Sequence, residues 1–184
     1  MNDAAPQAKK SQLVRSHRAM DTAFTVTIQS DDAALATSAA EAAFARIDAV
    51  EGLLSRFNDT SDVALIAALR PGEVGVVAHE TMCALVTSAR VCKATGGAFD
   101  PTVGPVMRRL KKTGMAWDAI PSDVLEDAFA RGGMQRLVLD VEHLRVSVKP
   151  DRLGRDTPLE LDFGGIGKGN RLTRKIYRKT IKNS

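Results

Sequence analysis

The sequence has 184 residues, 44% hydrophobic and 26% charged, the balance of a globular chain of one domain. No run of about 20 apolar residues occurs, so no membrane span is expected. The formal charge is +4, but Arg171, Arg174, Lys175, Arg178, Lys179 and Lys182 crowd the last fourteen positions without an acid; residues 1–170 carry 20 bases against 22 acids, which does not indicate a nucleic-acid face on the body.

Residues 1–12 lack the apolar core of a signal peptide and are expected to form a disordered leader, with the cytoplasm as default location. Leu13–Met20 and Thr22–Ser30 read as two extended segments, the second alternating Phe24, Val26 and Ile28 with threonines. Asp31 or Asp32 can cap a helix from about Ala33 to Phe57, with an apolar stripe of Leu35, Ala39, Ala42, Ala43, Ile47, Val50 and Leu54. Ser61 caps a short helix, Asp62–Leu69, ended by Arg70-Pro71-Gly72. A strand at Glu73–Val77 and a helix at His79–Thr95 follow, the helix closed by Gly96-Gly97. Pro121-Ser122-Asp123 opens another helix that stops at Gly132-Gly133. Arg136–Asp140 and Leu144–Val148 read as a hairpin, and Leu159–Phe163 as a last strand. Irregular alternation with hairpins at both ends favours an α+β fold over a doubly wound parallel sheet. Cys83 and Cys92 fall on opposite sides of their helix and read as buried free thiols. His17, His79 and His143 share no ligand spacing and read as ordinary polar residues.

Four stretches carry chemistry. The densest is Leu161-Asp162-Phe163-Gly164-Gly165-Ile166-Gly167-Lys168-Gly169. Its glycines let backbone approach a ligand, and its lysine suits an anion, but neither the phosphate-loop nor the dinucleotide spacing is met. The second is Thr95-Gly96-Gly97-Ala98-Phe99-Asp100-Pro101-Thr102-Val103-Gly104-Pro105, where two prolines are expected to hold the backbone extended after Asp100 and Gly104. Asp100 could accept hydrogen bonds from a ligand or cap its own turn. The third, Ala19-Met20-Asp21-Thr22, joins the first two strands. The fourth, Ser55-Arg56-Phe57-Asn58, ends the long helix. Phe57 reads as core or as a ring platform for a flat ligand, and Arg56 as a phosphate partner or a helix C-terminal charge.

In this order, from about Val14 to Gly169, the four stretches resemble the ApbE family of FAD:protein FMN transferases. The Gly96–Pro105 loop paired with Leu161–Gly169 is close to diagnostic. The resemblance implies an α+β, ApbE-like fold, an antiparallel sheet with packed helices. It also implies an enzyme that binds FAD, splits its pyrophosphate with Mg²⁺, and transfers FMN to a threonine or serine hydroxyl of an acceptor flavoprotein subunit. It implies that Met20 contacts the flavin nucleotide and that Phe57 stacks on the ring. Ala98, Phe99 and Asp100 would hold FAD, with Asp162 and Lys168 as further FAD-binding positions. The Gly165 carbonyl would ligate the metal. No residue is singled out as catalytic.

The pattern departs from the family at Gly167, where alanine is usual, and from Asn170 onward. There the family continues to a late Asp-Ala-x-Ser-Thr segment bearing side-chain metal ligands. The expectation is a C-terminally truncated chain: leader 1–12, an ApbE-like FAD-binding portion 13–169, and a basic non-family tail 170–184. The alternative is a catalytically inactive fragment with at most weak FAD binding.

Overall fold

A computed structural model describes residues 11–106 and 120–164. The chain divides after Ala49, inside its longest helix, into two compact units.

In the first unit, β1 (Ser11–Ala19) and β2 (Thr22–Ser30) pair antiparallel, from Ser11 opposite Ser30 to Ala19 opposite Thr22. Met20 and Asp21 alone connect them, both left-handed at φ 51° and 56°. Positive φ at both positions of a two-residue loop marks a type I′ turn, whose twist matches the flanking strands. Aspartate tolerates that conformation; methionine is the unusual occupant. β2 alternates as its sequence predicts, with Phe24, Val26 and Ile28 half-buried and Ala23, Thr25 and Thr27 exposed. β1 starts earlier than expected. Ser11 and Gln12 are strand rather than leader because Ser30 and Gln29 offer them ladder partners, and Ser11 Oγ donates to the Ser30 carbonyl at 2.5 Å.

The helix α1 (Ala33–Leu54) is capped by Asp32, whose Oδ1 accepts from the amides of Ala34 and Leu35 at 2.9 and 3.0 Å. Its buried residues are Ala36, Ala40, Ala43, Ile47, Val50 and Leu54, spaced three and four apart. Leu35, Ala39 and Ala42, expected on the stripe, are exposed. Alanine fills so much of the first two turns that the sequence fits more than one face, and the burial follows the face continuous with Ile47, Val50 and Leu54. Within this unit His17 Nε2 lies 2.6 Å from Asp48 Oδ1, and its ring stacks on Phe44 with centroids 5.0 Å apart. A residue read as merely polar thus ties β1 to α1.

The second unit is built on a three-stranded antiparallel sheet in the order β3-β5-β4, from β3 (Val74–Val76), β4 (Leu137–Asp140) and β5 (Arg145–Val148). Val146 at the centre of β5 faces Gly75 on one side and Leu139 on the other. Gly75 has a steric purpose: a Cβ there would collide with the side chain of Leu65 and meet Leu69 at 3.3 Å, so the bare strand lets α2 (Asp62–Ala68) press close. Ser61 caps α2 by accepting from the Ala64 amide at 3.0 Å, as its sequence predicts. Asp62 Oδ2 then accepts from the Ala78 amide and the Thr81 hydroxyl at 2.8 and 2.5 Å, which fixes the start of α3 (His79–Ala94) against α2. Ile66, Met82, Ala84, Leu85, Val146 and Val148 are buried around this frame. Cys83 and Cys92 are free as expected, but only half-buried.

The helix α4 (Ser122–Arg131) ends at Gly132-Gly133, and a 3-10 turn at Met134–Arg136 leads into β4. The turn places Arg136, expected as the first residue of a strand, in the interior. Its guanidinium donates to the carbonyls of Lys149 at 3.0 Å and Thr157 at 2.7 Å, and also to that of Arg131. Burial lowers its pKa, an effect that the charges of Asp151 and Asp156 oppose. A buried arginine whose fork is filled by backbone carbonyls fastens three chain segments together.

Leu159–Phe163 is not a strand. Leu159, Leu161 and Phe163 are buried, with Glu160 and Asp162 less so, which is the period-2 alternation the sequence predicts. The segment makes no ladder among the described residues, and the Asp162 amide bonds across to Pro101 O at 2.7 Å. Among the described residues no helix is long and apolar enough to cross a membrane.

Candidate functional site

Three of the four sequence stretches meet in the second unit. The first contributor is the turn after α1. That helix was expected to run to Phe57 but stops at Leu54, because side chains take over its last backbone groups. Ser55 Oγ accepts from the Phe57 amide at 3.2 Å, and Asn58 Nδ2 donates back to the Gly52 carbonyl at 3.2 Å. Asn58 Oδ1 also accepts from the Thr60 amide and hydroxyl at 3.0 and 2.8 Å. Phe57 is therefore held off the helical stripe and is 82% exposed. Of the two sequence readings, core or platform, the exposure excludes the core.

The second contributor is the Gly96–Pro105 loop. Gly96 and Gly97 end α3 at φ 59° and 89°, and the Gly97 amide returns to the Cys92 carbonyl at 2.9 Å. A Cβ on either glycine would meet nothing, so the left-handed backbone rather than crowding requires them. Thr95 Oγ1 accepts from the Phe99 amide at 3.1 Å and leaves Ala98 exposed at the tip. Asp100 turns inward. Its Oδ1 accepts from the Thr102 amide at 2.8 Å and hydroxyl at 2.6 Å, and its Oδ2 from the Met134 amide at 3.2 Å. Thr102 Oγ1 in turn accepts from the Gly133 amide. The carboxylate thus caps its own turn and staples the loop to the Gly132–Met134 corner. Burial, then the Asp100 charge, push the Cys92 thiol up, so this cysteine is not activated as a thiolate.

The backbone does not stay extended after Gly104 as expected. Residues 104–106 are helical, since proline is accommodated in the first turn of a helix. Gly104 sits where a Cβ would fall 2.6 Å from Glu160 Cβ and 2.7 Å from the Glu160 carbonyl oxygen. This close approach seats the loop on the third contributor, the segment ending at Gly164. There Asp162 Oδ1 accepts from the Gly164 amide at 2.9 Å. Asp162 Oδ2 lies 3.5 Å from Arg56 Nη1, and the Arg56 guanidinium carbon stands 4.5 Å from the centroid of the Phe57 ring.

The structure therefore brings Phe57, Asp100 and Asp162 into one framework, with Ala98 and Phe99 on its loop. The linking residues Arg56, Thr102 and Met134 are not among the implied contacts. Met20 lies in the β1–β2 turn of the first unit, and Gly165 and Lys168 lie outside the described residues. Among the described residues no group of three or more His, Cys, Asp or Glu side chains could hold a metal ion. The side chains described do not by themselves make a Mg²⁺ site. For a planar, anionic nucleotide the fit is better, with an exposed aromatic face beside a guanidinium.

No curated protein matches the chain. Among solved structures, similarity extends to the ApbE protein of Thermotoga maritima, at 25% identity and TM-score 0.72 over 92% of this chain and 52% of that one. The flavinyl transferase ApbE of Pseudomonas stutzeri is similar at 19% identity and TM-score 0.77, over 96% and 56%. The flavin transferase ApbE of Vibrio cholerae is similar at 18% and 0.72, over 92% and 53%. The chain thus spans about half the length of these relatives. It shares their mixed fold of helices and antiparallel sheet. The profile of one family, described as the ApbE family, matches residues 20–177, and so the chain belongs to the ApbE family.

Proposed function

We propose that the chain is the FAD-binding portion of an FAD:protein FMN transferase, which moves FMN from FAD to a threonine or serine hydroxyl of an acceptor flavoprotein in a Mg²⁺-dependent reaction. The observation that carries this reading is Phe57, an 82% exposed ring fixed by side-chain caps beside a guanidinium. A large apolar ring held in water, rather than folded onto the stripe its own helix offers, is a stacking surface.

The chain's own residues bind and orient. Phe57 receives the flat ring, Arg56 backs the Phe57 ring with positive charge, and Asp100 keeps the Gly96–Pro105 loop in place. The resemblance adds Met20 at the nucleotide, Lys168 at the glycine turn and the Gly165 carbonyl at the metal. When bound there, Mg²⁺ would offset charge on the phosphate that leaves. The described side chains supply no cage for it.

A second reading is flavin binding without transfer. A titration with FAD, with and without Mg²⁺, followed by flavin fluorescence and thermal melting, tests both. Saturable binding strengthened by Mg²⁺, with FMN appearing on an acceptor protein, supports transfer. Binding indifferent to Mg²⁺ and without transfer supports the second reading. A cooperative melt with no flavin binding refutes both.

A further inference from the structure

The Arg56 side chain touches both Phe57 and Asp162. It stands over the Phe57 ring at 4.5 Å and pairs with Asp162 at 3.5 Å, while Asp162 Oδ1 holds the Gly164 amide. Phe57 stays 82% exposed with the guanidinium against one face, which leaves the other open to a ligand. The Arg56 side chain is only 23% exposed and that of Asp162 26%, so the pair is partly shielded from water.

We propose that Arg56 is a positioning residue that transmits the state of the Asp162 carboxylate to the Phe57 ring, so that a planar ring stacked on Phe57 and the Gly164 amide are set in register by a single guanidinium. The chemistry suits arginine alone. A planar, delocalised cation can lie flat on an aromatic face while its N–H edge meets a carboxylate; a lysine ammonium meets one or the other. With Arg56 drawn to Asp162, the ring is pinned. Once the carboxylate is removed, the guanidinium is free to leave the ring, and the stacking face loses its fixed tilt.

The relay is tested without a ligand. The full chain is labelled with fluorophenylalanine, and the Phe57 fluorine resonance is assigned by Phe57→Leu. Asp162→Asn is expected to move that resonance through Arg56, which joins the two. The shift should vanish when Asp162→Asn is made in an Arg56→Gln background. An equal shift in both backgrounds, or none in either, overturns the proposal. Asp162→Glu takes the place of Asp162→Asn if the latter does not melt cooperatively.

A second arm rests on the flavin reading above. Riboflavin, which has the ring but no phosphate, and FAD are titrated against wild type, Arg56→Lys and Arg56→Gln. A positioning role predicts that Arg56→Gln weakens both ligands by a similar factor, roughly 3- to 10-fold, with Arg56→Lys scarcely better. Weakening of FAD alone, rescued by Arg56→Lys, would make Arg56 a simple phosphate partner and overturn the positioning role. If wild type binds neither flavin, the flavin reading fails, and the fluorine experiment still decides the relay.

Discussion

Replacing Asp100 with alanine removes one carboxylate and strands three donors. The Thr102 amide and hydroxyl lose their acceptor at 2.8 and 2.6 Å, and the Met134 amide loses one at 3.2 Å. Thr102 is 2% exposed, so water cannot readily replace the carboxylate there. Orphaning buried donors costs about 1–3 kcal/mol each, and the long bond to Met134 contributes least, so a net loss of about 3 kcal/mol is expected. For a chain of this length that corresponds to a melting temperature roughly 6–12 °C lower. Asp100→Asn keeps one carbonyl oxygen for the Thr102 pair and should lose about half as much. Thermal melts of the full chain, paired with FAD titrations, separate the roles left open by the sequence. A carboxylate that serves the ligand alone would leave the melt within about 1 °C of wild type while affinity falls, and that result would refute the assignment of Asp100 to the loop staple.

Phe57→Leu is expected to change stability by less than about 0.5 kcal/mol, because the ring is exposed, and to weaken flavin binding roughly tenfold; flavin fluorescence quenching on titration reads the loss. Gly104→Ala should destabilise by about 1–3 kcal/mol, since the new methyl meets Glu160 backbone that cannot swing aside. Gly96→Ala, with open space but φ 59°, should cost about 1 kcal/mol, and urea unfolding midpoints rank the two. Acid should expose Asp151. Burial pushes this carboxyl up, but hydrogen bonds from the Arg155 and Leu153 amides and the Arg155 guanidinium bring it down to about 2. A folded value below the unfolded one gives stability that is present above about pH 4 and lost as pH falls toward 2, here about 2 kcal/mol. The difference in urea midpoint between wild type and Asp151→Asn should shrink across that window, and a constant difference from pH 6 to 2 would count against it.

Local chemistry was the part of the molecule most readily read from its residues. Ser61 and Asp32 cap their helices, Gly96-Gly97 closes α3, and the alternation in β2 became half-burial. The face of α1 was ambiguous because alanine at Ala36, Ala39, Ala40, Ala42 and Ala43 fits a stripe in more than one phase. Leu159–Phe163 has a strand's burial pattern without a ladder partner among the described residues, and no period-2 signal distinguishes the two. Asp100 was recognisable as a turn residue, but its reach to Met134 spans chain that only folding brings together. The pairing of Arg56 with Asp162 was hidden for the same reason. Arg136 carried no signal at all, since an arginine at a strand's edge normally points to water.

The sheet of the second unit also dictates an order of assembly. β4 and β5 are joined by the short turn at Val141–Leu144, whereas Gly75 reaches Val146 across a separation of about 70 residues, which must be closed before any ladder bond forms. On a ribosome, β3 therefore emerges long before its partner exists. The hairpin forms first and β3 docks onto it, so in a pulse-labelling refolding experiment the amides of β3 gain protection last.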